Sequence, residues 1–263
     1  MMTSIDGKTK IIFLIGNPIE HTISPRFQNA ALQACGINAV YVPLKVYEND
    51  FDETINGIKR MDLLGLTATI PYKRKIISAL DEMDADARHI GAVNAVKIIK
   101  RGIWKGSNTD WYGVFKTLEI NKISKKAKTL IIGAGGAANA TVHGIQKYGI
   151  ASITIANRTR SKAEELASRF NLHELRYSDL SQALKEFSFI VNATSMHFDT
   201  FVNQYNESTI YFDLKYYMDP PNTKNYIDGK DMLLHTGAGC FELWTGADAP
   251  LEIMREKLFG NKE

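Results

Sequence analysis

The chain has 263 residues, 44% of them hydrophobic and 23% charged, which is the profile of a globular protein with a core and not of a disordered or fibrous one. Its net charge of +3 is small, and the densest basic stretch is only Lys122, Lys125, Lys126 and Lys128 ahead of an apolar strand, which argues against a dedicated nucleic-acid binder. No apolar run approaches the roughly 18 residues of a membrane span, the N-terminal MMTSIDGKTK lacks a signal peptide's apolar centre, and the lone Cys35 and Cys240 point to buried, reduced thiols in a cytoplasmic protein.

In chain order, Ile11 to Ile15 reads as a buried strand ending at Gly16. Ser24-Pro25 opens a helix that Ser24 can cap and Gly36 stops. Tyr41 to Leu44 is a strand, Asp50 to Met61 a helix, and Leu64 to Ile70 a strand ended by Pro71. Ala92 to Ile99 and Arg101 to Gly106 read as strands around a turn at Arg101-Gly102. The polar run Asn121 to Lys128 approaches a second domain, where the pattern restarts. There, strands are expected at Thr129 to Ile132, Ser152 to Ala156, Phe189 to Asn192 and Thr209 to Leu214. Helices are expected from the GAGGAA turn to Tyr148 and from Ser161 to Phe170, and the last segment, Gly237 to Phe259, is helical. This alternation implies an α/β protein with mostly parallel sheets.

Residues 129 to 138, TLIIGAGGAA, run from a strand straight into Gly133, Ala134, Gly135, Gly136, Ala137 and Ala138. The spacing is G-x-G-x-x-A: one glycine for the tight turn, one for backbone approach to a pyrophosphate, and a small residue for helix–strand packing. The helix N-terminus then offers N–H groups to phosphate. The next strand ends not in the acid expected of an NAD site but in Asn157, Arg158 and Thr159, followed by Arg160 and Lys162. Arginine pairs with a 2′-phosphate, so NADP is favoured. Taken singly, Arg160 and Lys162 have solvent exposure as an equal alternative.

The N-terminal half carries polar clusters at strand ends: Thr22 and Ser24, then Thr67, Thr69 and Lys73, then Asn94, Asn108 and Asp110. A lysine beside a carboxylate can form a proton-transfer pair. Each residue also has a plain alternative as a cap or a surface charge, and spacing alone leaves the choice open. His21, His89 and His235 receive no role, and no metal cluster is expected.

The segments GNPIEHTISP, GLTATIPYK, IGAVNAV, GSNTDWYG, IIGAGGAA, ANRT, VNATS, DGKDML and FELWTG, in this order, resemble the shikimate dehydrogenase family over nearly the whole chain. The resemblance implies an N-terminal α/β substrate domain (1–111), a Rossmann-like NADP-binding domain (112–236) and C-terminal helices (237–263) returning to the first domain. It implies reversible, NADP-linked interconversion of shikimate and 3-dehydroshikimate by a monomer or homodimer, with a cyclic hydroxy acid as its small-molecule partner. By position, Lys73 would exchange the hydroxyl proton and Asp110 would orient it. Thr22 and Ser24 would hold the substrate carboxylate, and Thr69, Asn94 and Tyr216 would make its other polar contacts. Gly133 to Ala138 would form the phosphate loop, and Asn157, Arg158 and Thr159 the adenosine-phosphate motif. Thr194, Ser195 and Met196 would flank the nicotinamide, with Gly229 near its amide.

The chain departs from that pattern at three positions. Thr22 stands where the family has serine, Thr67 where it has asparagine, and Thr236 where it has a glutamine that contacts substrate hydroxyls. The segment between Ser195 and Asp213 is polar, aromatic and short, which implies an altered nicotinamide side. Three readings follow: an NADP-dependent shikimate dehydrogenase, a diverged relative acting on quinate or another cyclic hydroxy acid, and a non-catalytic NADP-binding sensor. Extra volume beside Thr236 would favour the second; a side chain refilling the gap would favour the first.

Overall fold

The apolar run after Thr9 forms β1, Lys10–Gly16, in a computed structural model that describes residues 5–202, 206–217, 220–221 and 223–260. After it come α1 (Ser24–Ala34), β2 (Ala39–Lys45), α2 (Phe51–Ile58), β3 (Leu63–Ala68), β4 (Glu82–Met83), α3 (Ala85–Ile90), β5 (Ala95–Lys100) and β6 (Ile103–Ser107). The chain forms two compact units. The first ends at Thr109 and resumes at Leu234, and the second runs Asp110–Leu233.

The sheet of the first unit has the order β2-β1-β3-β5-β6-β4. It is parallel-rich, as the strand–helix rhythm implied, with one antiparallel strand: β1 runs parallel to β2 and β3 and β4 to β6, while β5 is antiparallel to β3 and β6. The β5–β6 pair is antiparallel because the turn at Arg101-Gly102 joins them, with Gly102 at φ 80°. A two-residue turn joins only antiparallel strands. Strand β3 stops at Ala68, short of Ile70, because the chain turns directly after it, the Thr69 carbonyl accepting from Tyr72 N–H at 2.7 Å. Strand β5 starts at Ala95 and not at Ala92, because Gly91 still closes α3 with φ 69°. Helix α3 itself was not foreseen, being too short for a periodic signal; the Asp84 side chain caps it by accepting from Ala87 N–H at 2.7 Å.

Two further expectations need correction. Helix α1 begins at Ser24 itself, and its N-cap position, Ile23, supplies no side-chain bond, so Ser24 is the first helical residue and not the cap. Cys35 is exposed, and only Cys240 is buried. Cys35 is the C-cap of α1 and precedes Gly36 at φ 64°, where the chain leaves the packed helix face.

The second unit opens with α4 (Asp110–Ile120) and continues β7 (Thr129–Ile132), α5 (Gly136–Tyr148), β8 (Ile153–Ala156), α6 (Arg160–Phe170), β9 (His173–Glu174), α7 (Leu180–Ala183), β10 (Phe189–Asn192), β11 (Ile210–Asp213) and β12 (Tyr226–Ile227). All six strands are parallel, in the order β12-β11-β10-β7-β8-β9. Counted from β7 this is 6-5-4-1-2-3, the doubly wound dinucleotide-binding order read from its other edge. Strands β7 and β10 are buried at every residue, as expected of central parallel strands covered on both faces. The aromatic segment after Ser195 adds to the core, with Phe198, Phe201 and Val202 packed around Leu130 and Ile132. Residues 203–205 of that segment lie outside the described residues.

The C-terminal segment comprises two helices, the first of which begins before the expected Gly237. Helix α8 covers Lys230–Thr245 and α9 covers Leu251–Phe259, separated by Gly246 at φ 72° and by Pro250. Within the first unit, Trp244 of α8 lies over β3 so closely that a Cβ at Gly65 would fall 2.2 Å from its Cδ1. Its indole N–H donates to the Val96 carbonyl at 3.2 Å. No described helix is long and apolar enough to cross a membrane.

Candidate active site

In the second unit the strand order reverses between β7 and β10. Ligands of open parallel sheets bind at the carboxyl ends of the strands at such a switch point. Strand β7 is followed by Gly133, at φ 119°, where a Cβ would meet the Ala193 carbonyl oxygen at 2.9 Å and Thr194 Cγ2 at 3.1 Å. Glycine is required there by backbone conformation and by the approach of the loop after β10. Gly135 is different. Its φ is −92°, which any residue adopts, and a Cβ there would meet no protein atom within 4 Å. The protein's own packing therefore gives no reason for glycine at the N-cap of α5, whereas a pyrophosphate drawn to that helix N-terminus would. Ala137 follows in the first turn, and Ala134 and Ala138 are buried. The residues present thus fit a dinucleotide.

At the end of β8, Asn157 donates its amide to the Thr159 carbonyl at 2.8 Å, shaping the turn that carries exposed Arg158 and Thr159. Arg160 is occupied by Glu164 at 2.9 Å and Glu174 at 3.6 Å. Arg158 and Lys162 are exposed and make no ion pair among the described residues, so they are the cations available to a phosphate.

The loop after β10 is held from beneath by a buried network. Asn192 accepts from Thr194 N–H at 3.0 Å and from its hydroxyl at 2.7 Å, and donates to the Met196 carbonyl at 2.8 Å and to Asp213 at 3.2 Å. Lys215, 6% exposed, pairs with Asp213, 2% exposed, at 3.1 Å. Burial pushes the Asp213 carboxyl up and the Lys215 ammonium down from their usual values, and their mutual contact opposes both shifts. Ser195 and Met196 stay exposed above this network. Gly229 donates its N–H to the Lys215 carbonyl at 2.9 Å, and a Cβ there would strike the Leu214 carbonyl oxygen at 2.2 Å. Tyr216 lines, with Tyr226 and Asp231, a cavity of about 380 Å³.

In the first unit the polar residues gather at the ends of β1, β3 and β5. Ser24 N–H donates to Thr22 Oγ1 at 3.4 Å. Thr69 follows β3 so close to the end of β1 that a Cβ at Gly16 would lie 2.4 Å from its methyl. Lys73 is half-buried, and its carbonyl accepts from Val93 N–H at 2.8 Å, beside Asn94. The Asn94 amide is paired on both sides with Thr109, accepting from its N–H at 2.7 Å and donating to its Oγ1 at 3.0 Å. Asp110, 4% exposed, is the first residue of α4 and belongs to the second unit.

Comparison with known proteins decides the family. Residues 14–96 match the shikimate dehydrogenase substrate binding domain, and residues 117–213 match the shikimate / quinate 5-dehydrogenase family. The chain is 37% identical to the shikimate dehydrogenase (NADP(+)) of Methanococcus maripaludis over 97% of its own length and 98% of the relative's. Its fold is similar to the crystal structure of shikimate dehydrogenase from Aquifex aeolicus, with a TM-score of 0.86 and 30% identity over 97% of this chain and 99% of that one. It is also similar to a shikimate dehydrogenase in complex with NADP+, with a TM-score of 0.84 and 34% identity over 98% of each chain.

The chain belongs to the shikimate dehydrogenase family.

Against this shikimate dehydrogenase frame, the three departures have defined surroundings. Thr22 Oγ1 accepts the Ser24 N–H described above. Thr67 receives the hydroxyl of Tyr41 at 3.1 Å. The Thr236 hydroxyl oxygen is enclosed, with no hydrogen-bond partner among the described residues. Its main-chain carbonyl accepts from Thr109 Oγ1 at 3.0 Å. Two residues of this site escaped the sequence reading. Thr109 lies between the noticed Asn108 and Asp110, a signal that marks the motif but not which member links it to α8. Lys215 looks like a surface lysine beyond a strand, and nothing in FDLKYY foretells its burial.

Proposed function

We propose that this member of the family catalyses the reversible, NADP-linked interconversion of shikimate and 3-dehydroshikimate. One observation carries the reading: the open cradle at Gly135, at the switch point of the parallel sheet, serves nothing in the protein's own packing, and NADP is the cofactor named for the curated relatives. Bound there, NADP would supply the hydride exchange with the substrate carbon. The chain's residues do the rest. Lys73 exchanges the hydroxyl proton, and Asp110 orients Lys73 and binds the neighbouring hydroxyl. Thr22 and Ser24 hold the ring carboxylate, while Thr69, Asn94 and Tyr216 hold the ring through polar contacts. Gly133 to Ala138 cradle the pyrophosphate, Asn157, Arg158, Thr159 and Lys162 hold the adenosine phosphate, and Thr194, Ser195, Met196 and Gly229 flank the nicotinamide. The partners are small molecules, and cytoplasmic residence is part of the same reading.

A second reading, action on quinate or another cyclic hydroxy acid, is favoured by one observation: Thr236 presents an enclosed hydroxyl where the family's glutamine contacts substrate hydroxyls. NADPH formation, followed by absorbance with shikimate and then quinate and with Lys73→Ala as the blank, tests both. Turnover with shikimate establishes the first reading and turnover with quinate alone the second, while NADP binding without turnover of either overturns the first and leaves a different substrate or a non-catalytic sensor.

A further inference from the structure

The buried ammonium of Lys215 is placed to use all three of its N–H donors. They meet Asp213 Oδ1 at 3.1 Å, the Thr194 carbonyl at 3.2 Å and the Met196 carbonyl at 2.5 Å. Two of these three acceptors are main-chain carbonyls of the loop after β10. Thr194 and Met196 are held further: Thr194 N–H and Oγ1–H go to Asn192, and Met196 N–H goes to Thr194 Oγ1 at 3.1 Å. Asp213 completes the frame, accepting from Lys215 N–H at 3.0 Å and from the Asn192 amide at 3.2 Å. The same lysine's carbonyl holds Gly229. One residue therefore ties the Thr194–Met196 turn, the end of β11 and Gly229 together, and leaves Ser195 and Met196 exposed on the far side of the turn.

A buried ion pair is an uneconomical way to stabilise a fold, since apolar residues of similar volume often do as well or better. What an apolar pair cannot do is bind two carbonyls and so fix a loop's orientation. We propose that Lys215, charge-balanced by Asp213 and steered by Asn192, is the positioning residue for the nicotinamide side of the cofactor site. The proposal rests on the reading above that the Thr194–Met196 loop flanks the nicotinamide. Lys215 touches neither substrate nor cofactor. It acts by holding the loop's carbonyls inward, so that the exposed edge meets the ring in one conformation and no ordering cost is left for binding.

The test compares NADP with adenosine 2′,5′-bisphosphate, which shares the adenosine and 2′-phosphate but lacks the nicotinamide. In Lys215→Met, binding of the bisphosphate should stay within twofold of wild type, while NADP binds at least fivefold more weakly and kcat falls at least tenfold. Lys215→Arg should recover part of both. Should Lys215→Met not fold, the double variant Asp213→Leu/Lys215→Leu, an apolar pair, should fold and show the same split. Unchanged NADP binding and kcat alongside a lowered Tm would overturn the proposal and leave a structural ion pair only. Equal weakening of both ligands would overturn it in favour of a general loss of the unit. Ser195→Trp tests the underlying reading separately. If it leaves NADP binding intact, the loop is not on the nicotinamide side and the reading fails; if it weakens NADP alone while Lys215→Met does nothing, only the positioning role fails.

Discussion

The side-chain amide of Gln28 in α1 donates to the main-chain carbonyl of Gly237 in α8 at 2.8 Å. This bond fixes which way the amide faces, and it leaves Gln28 Oε1 buried without a hydrogen-bond partner among the described residues, as Thr236 Oγ1 also is, one residue from Gly237. The helices meet so closely that a Cβ at Gly237 would fall 2.4 Å from Phe27 Cε2. An amide is thus present beside the turn of α8 that lacks the family's glutamine, but it comes from another helix. Thr236→Gln should raise kcat/KM for shikimate by about tenfold if a single missing hydrogen bond limits binding, since such a bond is worth about 1–3 kcal/mol in a closed site. Unchanged or poorer kinetics would show that the pocket is rebuilt around threonine and Gln28.

Lys73→Ala should abolish turnover while the Kd for NADP stays at the wild-type value, because Lys73 belongs to the first unit and the glycine cradle to the second. Steady-state rates and cofactor titration check this together. Near-normal turnover would remove Lys73 from the proton transfer.

Gly133 and Gly135 should separate folding from binding. Gly133→Ala forces a side chain onto φ 119° and toward the Ala193 carbonyl oxygen at 2.9 Å, a strain of about 1–3 kcal/mol, and should lower Tm. Gly135→Ala should lower Tm less, because a Cβ there meets no protein atom within 4 Å, and should weaken NADP binding at least tenfold. Thermal unfolding and cofactor titration of both variants decide it; a Gly135→Ala protein with intact NADP affinity would sink the phosphate cradle.

Cofactor choice should follow the cations left available. Arg158→Ala is expected to reduce the preference for NADP over NAD by about tenfold or more, the scale of one charge-assisted contact to phosphate. Arg160→Ala should leave that preference alone, since its guanidinium serves Glu164 and Glu174. The ratio of kcat/KM values for the two cofactors measures both.

The turn leading to Thr22 should carry a pH signature. Glu20 accepts from Lys45 Nζ at 2.6 Å and from Ile19 N–H at 3.0 Å. The lysine contact first, and backbone bonds after it, hold its carboxyl down from 4.5 to about 2. A carboxyl depressed in the folded state adds stability that is full above its unfolded value and is lost as pH falls through its folded value. The Tm difference between wild type and Glu20→Gln should therefore be constant above pH 4.5 and close between pH 4.5 and 2. Both side chains are solvent-exposed, so high salt should shrink the difference. A difference that widens in acid would contradict the assignment.

What the sequence determined by itself lies where a residue type answers to a local constraint. Gly133 marks a turn that tolerates no side chain, the TLII run marks a strand buried on both faces, and Asn157, Arg158 and Thr159 after β8 offer a cation where an NAD site has an acid. These are properties of a few adjacent residues, and composition and spacing carry them. What only the tertiary structure decided depends on contacts between segments far apart in the chain. Lys215 reads as a surface lysine until β10 and β11 pair and bring Asp213, Thr194 and Met196 around its ammonium. Thr109 is one polar residue among several until Asn94 and the Thr236 carbonyl close on it. Cys35 and Cys240 are indistinguishable in sequence, yet one sits at an exposed helix end and the other inside. Burial of a charged or polar group is set by which strands and helices meet, and that information is spread over the whole chain, not held in any window of it.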